Sequence, residues 1–420
     1  MTPLNALLVS HGTGLGGAER VMLEAIDGFD REVINPVVAV HEEGVLAERA
    51  RAMGVAVVVT PGPWWLPFAD TADTAYQFRR WWEEAPSVVA PLADIIRQRN
   101  IDIVYSASSP ILHAALAAHV TRRPHVHHMQ DLLGRPHLNF KMPFGSARFA
   151  YALLGRLASL VVCVGEIGRQ DIGRVVPRRK CRVVPLGISP SQASPPPPAL
   201  PTVEASAVRI GVVGVVDRRK GADLIPSIVH RAVRDVPDIH VFWAGGGDRA
   251  LMERLTAEAT IAGTPHLHFI GYTDRIPGFL RAMDFVLHPA RNETFPRALL
   301  EAAAAGRAIV TTRCGGGEEI VRHGVNGTVA AIDDAGAMAA AVAWLARDSH
   351  ARTRMGEAGA RWAAPFTLQR YQRGMQEAFL DAHAAGPAIA GRIPARLIDA
   401  CLALPARAIP PLRRWAARGV

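Results

Sequence analysis

The sequence predicts an α/β protein built from two domains, each with a parallel sheet, and three observations support this prediction. The chain of 420 residues is too long for one ordinary hydrophobic core. Short apolar runs alternate with amphipathic helical stretches along almost its whole length, which is typical of parallel sheets flanked by helices. The proline-rich run Ser189–Pro201 separates two such series, because it favours neither a helix nor a central strand.

The first series occupies residues 1–188 and the second residues 204–365, with a stiff linker predicted over residues 189–203. The first series has seven predicted strands: Leu4–Ser10, Pro36–His41, Ala56–Thr60, Ile103–Ser106, His125–Met129, Leu160–Val164 and Arg182–Pro185. The second has six: Val208–Val213, His240–Ala244, Leu267–Ile270, Phe285–His288, Ala308–Thr311 and Gly327–Ala330. A closing helix over residues 366–385 and a basic, proline-rich extension over residues 386–420 follow.

Composition argues against several classes of protein. With 49% hydrophobic residues, the chain can bury ample apolar surface, which excludes wholesale disorder. No segment approaches the roughly 20 apolar residues of a spanning helix, and no basic stretch precedes Leu4, so we expect a cytoplasmic protein without a signal peptide. Cys163, Cys181, Cys314 and Cys401 are scattered singly, which favours reduced thiols over disulfides or a zinc site.

The net charge of +9 comes almost wholly from arginine, because lysine occurs only at positions 141, 180 and 220. Such a charge suits nucleic acid, an anionic membrane or a phosphorylated substrate. The sequence contains no zinc-finger, helix-turn-helix or RNP-like pattern, so we expect no nucleic-acid partner. Solvated arginine side chains account for much of the excess.

A glycine-rich turn, Gly12–Gly17, follows the first predicted strand and opens a helix. It satisfies the G-x-G-x-x-G pattern, and Glu42 ends the next strand, so a dinucleotide-binding domain is one interpretation. A tight turn without a ligand is a second. We favour a third, a loop that faces the phosphates of a ligand, because the second half of the chain contains a better phosphate site.

That second site rests on two motifs. The run Arg218-Arg219-Lys220 follows a strand, and three adjacent cations are costly unless they are solvated or paired with an anion. An exposed basic turn is the alternative. Glu293 and Glu301 stand eight positions apart, just over two helical turns. We therefore expect both on one side of a single helix, with the first at an N-terminus that attracts anions.

These motifs resemble the donor-binding signature of retaining glycosyltransferases of family 4, over almost all of residues 1–385 and most specifically from Gly211 to Gly327. The resemblance implies the GT-B architecture, in which two Rossmann-like domains face each other across a cleft and the closing helix returns to the first. It implies that the first domain binds the acceptor and the second the nucleotide sugar, with the glycine turn Gly12–Gly17 facing the donor diphosphate. It also implies transfer of a sugar from a nucleotide-diphosphate sugar to a hydroxyl of a glycan or lipid-linked acceptor. Front-face attack and a double displacement through Glu293 both stay open.

The resemblance also implies roles for individual residues. Glu293 approaches the transferred sugar, and Glu301 accepts hydrogen bonds from the ribose hydroxyls. Lys220 binds the diphosphate, and either Arg218 or Arg219 supplies a second cation. The remaining candidates for contact with the donor are Gly16, Gly17, Gly245, Gly271, Tyr272, Thr294, Phe295 and Arg297.

The strand His125–Met129 raises two hypotheses. Its first and third residues are histidines on one face and His128 lies on the other, but no carboxylates stand at ligand spacing, so a zinc site is disfavoured. In the resembling family this strand ends in a His-Asp pair that touches the donor sugar or the acceptor. Here Gln130 and Asp131 occupy those positions. Because glutamine cannot act as a base, the resemblance leaves His128 and Asp131 as the catalytic candidates.

No D-x-D pair occurs in the sequence, so we expect catalysis without a divalent metal or other cofactor. Cations and a helix N-terminus would stabilise the leaving diphosphate instead. Two alternatives stay open, a nucleotide-sugar epimerase of the same fold and a non-catalytic sugar-binding partner of another transferase. The aromatic pairs Trp64-Trp65 and Trp81-Trp82 favour a large sugar or lipid acceptor over the epimerase, with core packing as their plain alternative.

The extension over residues 386–420 is the most individual part of the chain. From Pro394 onward, apolar residues recur at helical spacing, and Arg413, Arg414 and Trp415 place cations beside an aromatic ring. This combination predicts peripheral docking on an anionic membrane surface, the inner face of the plasma membrane. Packing of the extension on the first domain is the alternative.

Overall fold

The computed structural model describes residues 2–67, 73–138, 140–142, 145–189 and 196–388. Linker residues 190–195 and the extension from residue 389 onward, including the predicted membrane-docking segment, lie outside the described residues. The chain divides into two compact units. The first comprises residues up to Gly187 together with those from Leu368 onward, and the second comprises Ile188–Thr367.

The first unit contains one parallel sheet of seven strands. They are β1 (Leu4–Val9), β2 (Ile34–Val40), β3 (Ala56–Val59), β4 (Ile103–Ser106), β5 (His125–Met129), β6 (Leu160–Cys163) and β7 (Cys181–Val183). Their order in the sheet is β3-β2-β1-β4-β5-β6-β7. The connecting helices are α1 (Gly17–Asp27), α2 (Val45–Ala52), α3 (Thr74–Gln98), α4 (His113–Val120), α5 (Ala147–Leu157) and α6 (Glu166–Ile172). Because helices cover the sheet, a strand such as β1 is a continuous apolar run, with Ala6–Val9 buried.

The second unit repeats this plan with a six-stranded parallel sheet. Its strands are β8 (Val208–Val213), β9 (Ile239–Ala244), β12 (Leu267–Gly271), β13 (Phe285–His288), β14 (Ala308–Thr312) and β15 (Gly327–Ala330), in the order β12-β9-β8-β13-β14-β15. A small antiparallel hairpin joins β10 (Thr260–Ile261) to β11 (Thr264–Pro265). The helices are α7 (Ile225–Ala232), α8 (Arg249–Glu258), α9 (Ile276–Arg281), α10 (Arg297–Ala304), α11 (Gly317–Ile320), α12 (Ala335–Arg347) and α13 (Ser349–Ala363).

A last helix, α14 (Leu368–Ala385), belongs to the first unit. The Tyr371 hydroxyl donates to the carbonyl of Val21 at 2.9 Å, and the ring of Phe379 packs on Phe29 and stacks on Tyr105. The helix begins two residues later than predicted, because Phe366 is held in the second unit by a ring stack.

The predicted α/β fold with two parallel sheets is confirmed, and each predicted strand is present with ends shifted by at most two residues. The β10–β11 hairpin was not predicted, because strands of two residues carry no periodicity. Among the described residues, no helix combines the length and the apolar character needed to cross a bilayer.

Candidate active site

The candidate site lies at the carboxyl edge of the second sheet, where the strand order reverses between β8 and β13. In open α/β sheets, this switch point leaves a crevice that binds ligands. Two loops meet here: residues 214–221 after β8, and residues 289–296 after β13. The backbone amide of Arg291 donates to the carbonyl of Arg219 at 2.8 Å, which ties the two loops together.

Three charged side chains form a cluster between these loops. Lys220 Nζ lies 2.6 Å from Glu293 Oε1, and Arg219 Nη1 lies 2.9 Å from the same oxygen. The side chain of Glu293 is 11% exposed and that of Lys220 15%. Burial alone would raise the pKa of Glu293, but the two cations outweigh this effect and lower its pKa to about 2. Glu293 is therefore a carboxylate at neutral pH.

The cluster resolves which arginine accompanies Lys220. Arg219 faces Glu293, and its side chain is 25% exposed. The side chain of Arg218 is 83% exposed, with Asp223 as a distant partner at 4.0 Å. Both arginines were candidates in the sequence, and the structure brings only Arg219 to the glutamate.

The expectation that Glu293 and Glu301 share one helix is wrong. Helix α10 begins at Arg297, and Glu293 lies four residues before it in extended backbone that bridges to Gly315. The amide of Glu293 donates to the carbonyl of Cys314 at 2.8 Å, and the amide of Gly316 donates to the carbonyl of Glu293 at 2.7 Å. This short ladder fixes the carboxylate at the mouth of α10, outside the helix.

Glu301 lies within α10 and forms an ion pair along the helix surface. Arg297 Nε donates to Glu301 Oε1 at 2.8 Å, and the two side chains are 24% and 17% exposed. The pair aligns the carboxylate while leaving it partly accessible. A planar carboxylate in such a position can accept hydrogen bonds from a vicinal diol.

The buried side chain of Arg291 connects the two loops through hydrogen bonds. Its side chain is 3% exposed, and its guanidinium donates to both oxygens of Asp223, to Asp333 Oδ1 at 2.6 Å and to the carbonyl of Arg218. Asp333 takes a left-handed backbone with φ of 64°, a conformation that aspartate adopts more readily than most residues. Nothing in the sequence distinguishes Arg291, since one arginine among so many carries no pattern.

We expect Arg291→Met to destabilise the second unit by about 2–3 kcal/mol, because it leaves Asp223, Asp333 and a backbone carbonyl without their donor. The aspartates are partly exposed, which reduces the cost. A differential scanning fluorimetry experiment should show a Tm lower by about 5–10 °C. The control is Arg218→Met in the same loop, where an exposed side chain is removed. Equal melting temperatures for the two variants would refute this role.

Glycines line the neighbouring strand ends. Gly214 lies beneath Lys220, with φ of 139°, and its carbonyl accepts the indole N–H of Trp243 at 2.7 Å. Gly245 and Gly271 pair across the ends of β9 and β12 in backbone conformations that favour glycine. Tyr272 follows with its side chain 64% exposed. Of the four predicted donor-contact glycines, Gly245 and Gly271 therefore lie at strand ends next to Gly214 and Lys220, whereas Gly16 and Gly17 lie in the first unit.

Two residues near Glu293 were missed as functional candidates. His288 ends β13, is buried, and shares a 3.1 Å contact between its Nδ1 and the hydroxyl of Thr311. Burial lowers its pKa to about 3, so it is neutral. Burial also raises the pKa of the Cys314 thiol to about 11. In the sequence, His288 and Cys314 simply end or follow apolar strands. Only the convergence of the loops in the folded structure places them at the site.

In the first unit, the glycine turn lies at the carboxyl end of β1. Gly16 precedes α1, which begins at Gly17. Buried Glu19 folds back onto the turn, where it accepts from the Ser10 hydroxyl at 3.2 Å and lies 3.3 Å from His11 Nδ1. A Cβ atom added at Gly14 or Gly17 would meet no atom within 4 Å outside the neighbouring residues. The turn is thus held by Glu19 and open on its outer side.

The catalytic role considered for His128 does not fit its position. Its side chain is fully buried, its Nδ1 lies 2.7 Å from the Tyr105 hydroxyl, and burial lowers its pKa to about 3. Asp131 lies past the end of β5, where it accepts from the hydroxyl of Ser108 and the amide of Ser109. The structure therefore removes His128 from the candidate site and leaves Asp131 at the carboxyl edge of the first sheet.

The other two histidines of β5, His125 and His127, are also buried. His125 Nε2 contacts the Ser106 hydroxyl at 2.8 Å, and burial lowers the pKa of His127 to about 3. Within the part of the chain that the structure describes, no three histidine, cysteine or acidic side chains are grouped to hold a metal ion. These histidines fill the core of the first unit.

Two family models match the chain. A model of "Glycosyltransferase Family 4" matches residues 15–192, and a model of "Glycosyl transferases group 1" matches residues 207–348. Together they cover more than half of the chain. The fold and the site at its switch point therefore define a GT-B protein, and the chain belongs to the family 4 glycosyltransferases.

Curated relatives include the lipopolysaccharide core biosynthesis glycosyltransferase LpsE of Rhizobium meliloti, 30% identical over 129 residues. That match spans 30% of this chain and 37% of LpsE. A GDP-mannose-dependent alpha-(1-6)-phosphatidylinositol monomannoside mannosyltransferase of Mycolicibacterium smegmatis is 26% identical over 298 residues, which are 66% of this chain and 76% of that protein. The chain thus spans less than half the length of some relatives and three quarters of another.

Solved structures show the same fold. HepE of Anabaena in complex with UDP-glucose superposes with a TM-score of 0.70 at 18% identity, covering 89% of this chain and 98% of that one. Sucrose-phosphate synthase of Thermosynechococcus elongatus gives a TM-score of 0.69 at 16% identity, covering 91% and 100%. At such identities the likeness concerns the fold.

Proposed function

We propose that the protein transfers a sugar from a nucleotide-diphosphate sugar to a hydroxyl of a glycan or lipid-linked glycan, with retention of configuration and without a metal. The cluster of Lys220, Arg219 and Glu293 at the switch point carries this proposal. It combines two cations suited to a diphosphate with one carboxylate suited to an electron-poor sugar carbon. HepE, of the same fold, was solved with UDP-glucose, which supports a nucleotide-sugar donor.

The chemistry proposed for the cluster follows from its charges. When the bond from the anomeric carbon to the diphosphate breaks, negative charge accumulates on the leaving oxygen and positive charge on the sugar ring. Lys220 and Arg219 stabilise the first, and Glu293 stabilises the second. With a pKa of about 2, Glu293 cannot donate a proton near pH 7. It can act as an electrostatic stabiliser in front-face attack or as the nucleophile of a double displacement.

Metal independence rests on the same cluster. Enzymes that hold the diphosphate through a divalent ion need clustered carboxylates, and here the second unit provides cations at the loop after β8. Lys220 is a compact charge, and Arg219 can fork over two oxygens. Together with the N-terminus of α10, they supply positive potential without an ion.

Incubation with radiolabelled UDP-glucose, GDP-mannose and related donors tests the function. Transfer of label to an added glycan or lipid extract, unaffected by EDTA, is the expected result, and NMR of the product should show the donor's anomeric configuration. Conversion of the donor sugar without an acceptor would indicate the epimerase instead. Nucleotide binding in a thermal-shift assay, without turnover, would indicate the non-catalytic partner. Activity that EDTA abolishes and a divalent ion restores would refute the metal-free mechanism.

We also propose that the extension over residues 386–420 binds peripherally to an anionic membrane. Each of its basic residues should contribute on the order of 1 kcal/mol to binding near such a surface, and Trp415 lies beside two of them in the sequence. The full chain should therefore co-sediment with vesicles that contain anionic lipid at low salt. A chain that ends at Ala385 should stay in the supernatant. Equal binding of both chains, or of neither, would show that the extension is not the anchor.

A further inference from the structure

A pocket in the first unit suits an acceptor glycan. It has a volume of about 630 Å³ and lies between the loop after β3 and the helix α3. This volume falls within the range of about 300–1,000 Å³ that small-molecule sites occupy. Its lining combines Pro61, Pro63 and Pro67 with the rings of three tryptophans and a polar rim. None of these residues belongs to the candidate active site of the second unit.

The three tryptophans turn their polar edges into the protein. The indole N–H of Trp64 donates to the carbonyl of His11 at 2.9 Å, that of Trp65 to Ser109 at 2.7 Å, and that of Trp81 to Pro63 at 3.0 Å. Since each N–H has a partner in the protein, the ring surface left to the pocket is carbon. Trp64 is half-buried and supplies most of that surface, whereas Trp65 and Trp81 are almost fully buried beneath it.

The rim of the pocket is polar and balanced in charge. Arg80 Nε and Glu84 Oε1 form an ion pair at 2.8 Å on one face of α3, with side chains 57% and 48% exposed. Gln77 lies one turn earlier on the same helix, and His41 lies on the opposite side after β2. Arg80 and Glu84 are the formally charged side chains among the described residues that line the pocket. Their charges cancel, which disfavours a phosphorylated ligand.

An apolar floor with planar polar groups at the rim matches the chemistry of a neutral pyranose. One face of such a sugar presents C–H groups that pack on aromatic carbon, and its hydroxyls project at the edge. Carboxylate, amide and guanidinium groups can each hydrogen-bond two vicinal hydroxyls. A lipid chain would gain nothing from the ion pair, and an anionic headgroup would find no net positive charge.

The position of the pocket relates it to the reaction. Trp64 packs against His11, with ring centroids 5.3 Å apart, and His11 directly precedes the glycine turn at the end of β1. The pocket therefore adjoins the turn that the family resemblance places toward the donor diphosphate. We infer that this pocket holds a neutral pyranose unit of the acceptor glycan, an inference that rests on the proposed transferase function.

Saturation-transfer difference NMR on the full-length protein tests the inference. The probes are methyl glycosides and disaccharides of glucose, mannose, galactose and N-acetylglucosamine, with myo-inositol 1-phosphate as the anionic comparison. At least one neutral sugar should receive saturation, mainly at the C–H protons of one ring face. The double variant Arg80→Ala with Glu84→Ala should bind that sugar about tenfold more weakly, since it loses charge-assisted hydrogen bonds.

The matched control is Arg79→Ala with Glu83→Ala, which removes the same charges from neighbouring exposed positions of α3 that do not line the pocket. It should bind the sugar as the wild type does. The inference is overturned if no neutral sugar binds, if both double variants lose affinity equally, or if inositol phosphate binds more tightly than every neutral sugar. A nucleotide thermal shift on the same wild-type sample separates this failure from failure of the proposed function, which would show no nucleotide binding.

Discussion

Replacing Lys220 with alanine is expected to lower the turnover number for sugar transfer by about 10²–10³-fold, in addition to weakening donor binding. Lys220 is a largely buried cation within 2.6 Å of Glu293. Its attraction for the leaving diphosphate increases as negative charge accumulates there, so its loss raises the barrier more than it weakens the ground state. Steady-state kinetics with a labelled donor measure both effects.

Glu301→Ala provides the comparison for Lys220→Ala. Its proposed partner, the ribose, does not react, so we expect the donor KM to rise about tenfold while the turnover number changes by less than about threefold. Circular dichroism and Tm should confirm that both variants are folded. If the two variants show the same division between KM and turnover, Lys220 has no special role in the chemical step.

Glu293→Gln should separate binding from catalysis. Glu293 pairs with both cations that a diphosphate would use. Removing its charge should therefore tighten the binding of a nucleoside diphosphate by about tenfold, while sugar transfer falls by about 10³-fold or more. Isothermal titration and a transfer assay measure the two quantities. Glu318→Gln, a substitution at an exposed position of α11, is the control.

Weaker binding of the diphosphate to the Glu293→Gln variant would contradict the competition between carboxylate and phosphate. Stability offers an independent check. The pKa of Glu293 is lowered to about 2, so its ionised form stabilises the fold above the unfolded pKa of about 4.3. This contribution is lost as pH falls toward 2. The wild type should therefore lose more stability than the Gln variant between about pH 4.5 and pH 2.

The strands and their order in the chain followed from local sequence. Runs such as Val208–Val213 and Phe285–His288 are apolar, β-branched and bounded by turns, and burial on both faces of a parallel sheet requires this composition. The location of Lys220 and Glu293 in loops that follow strands could be predicted from the sequence for the same reason. Parallel strands bring their carboxyl ends to one edge, so residues that follow different strands converge.

The prediction that Glu293 lies on the same helix as Glu301 was wrong because hydrogen bonds to a distant segment hold the loop before α10 in an extended conformation. Its partners, Cys314 and Gly316, lie about twenty positions later, and a spacing of eight residues carries no information about them. The burial of His128 could not be predicted from the sequence for a related reason. Its alternation on β5 was predicted, but that face lies against Tyr105 beneath α14, which enters the first unit from the far end of the chain.

By itself the sequence determined the two parallel sheets, the strands to within two residues, and the charged residue types that follow β8 and β13, since these depend on local composition and on the geometry of parallel strands. Only the tertiary structure decided that Arg219 rather than Arg218 meets Glu293, that Arg291 binds the two loops together, and that a tryptophan pocket adjoins the first glycine turn. These contacts join residues distant in the chain, and side-chain packing across loops fixes them without leaving a periodic signal.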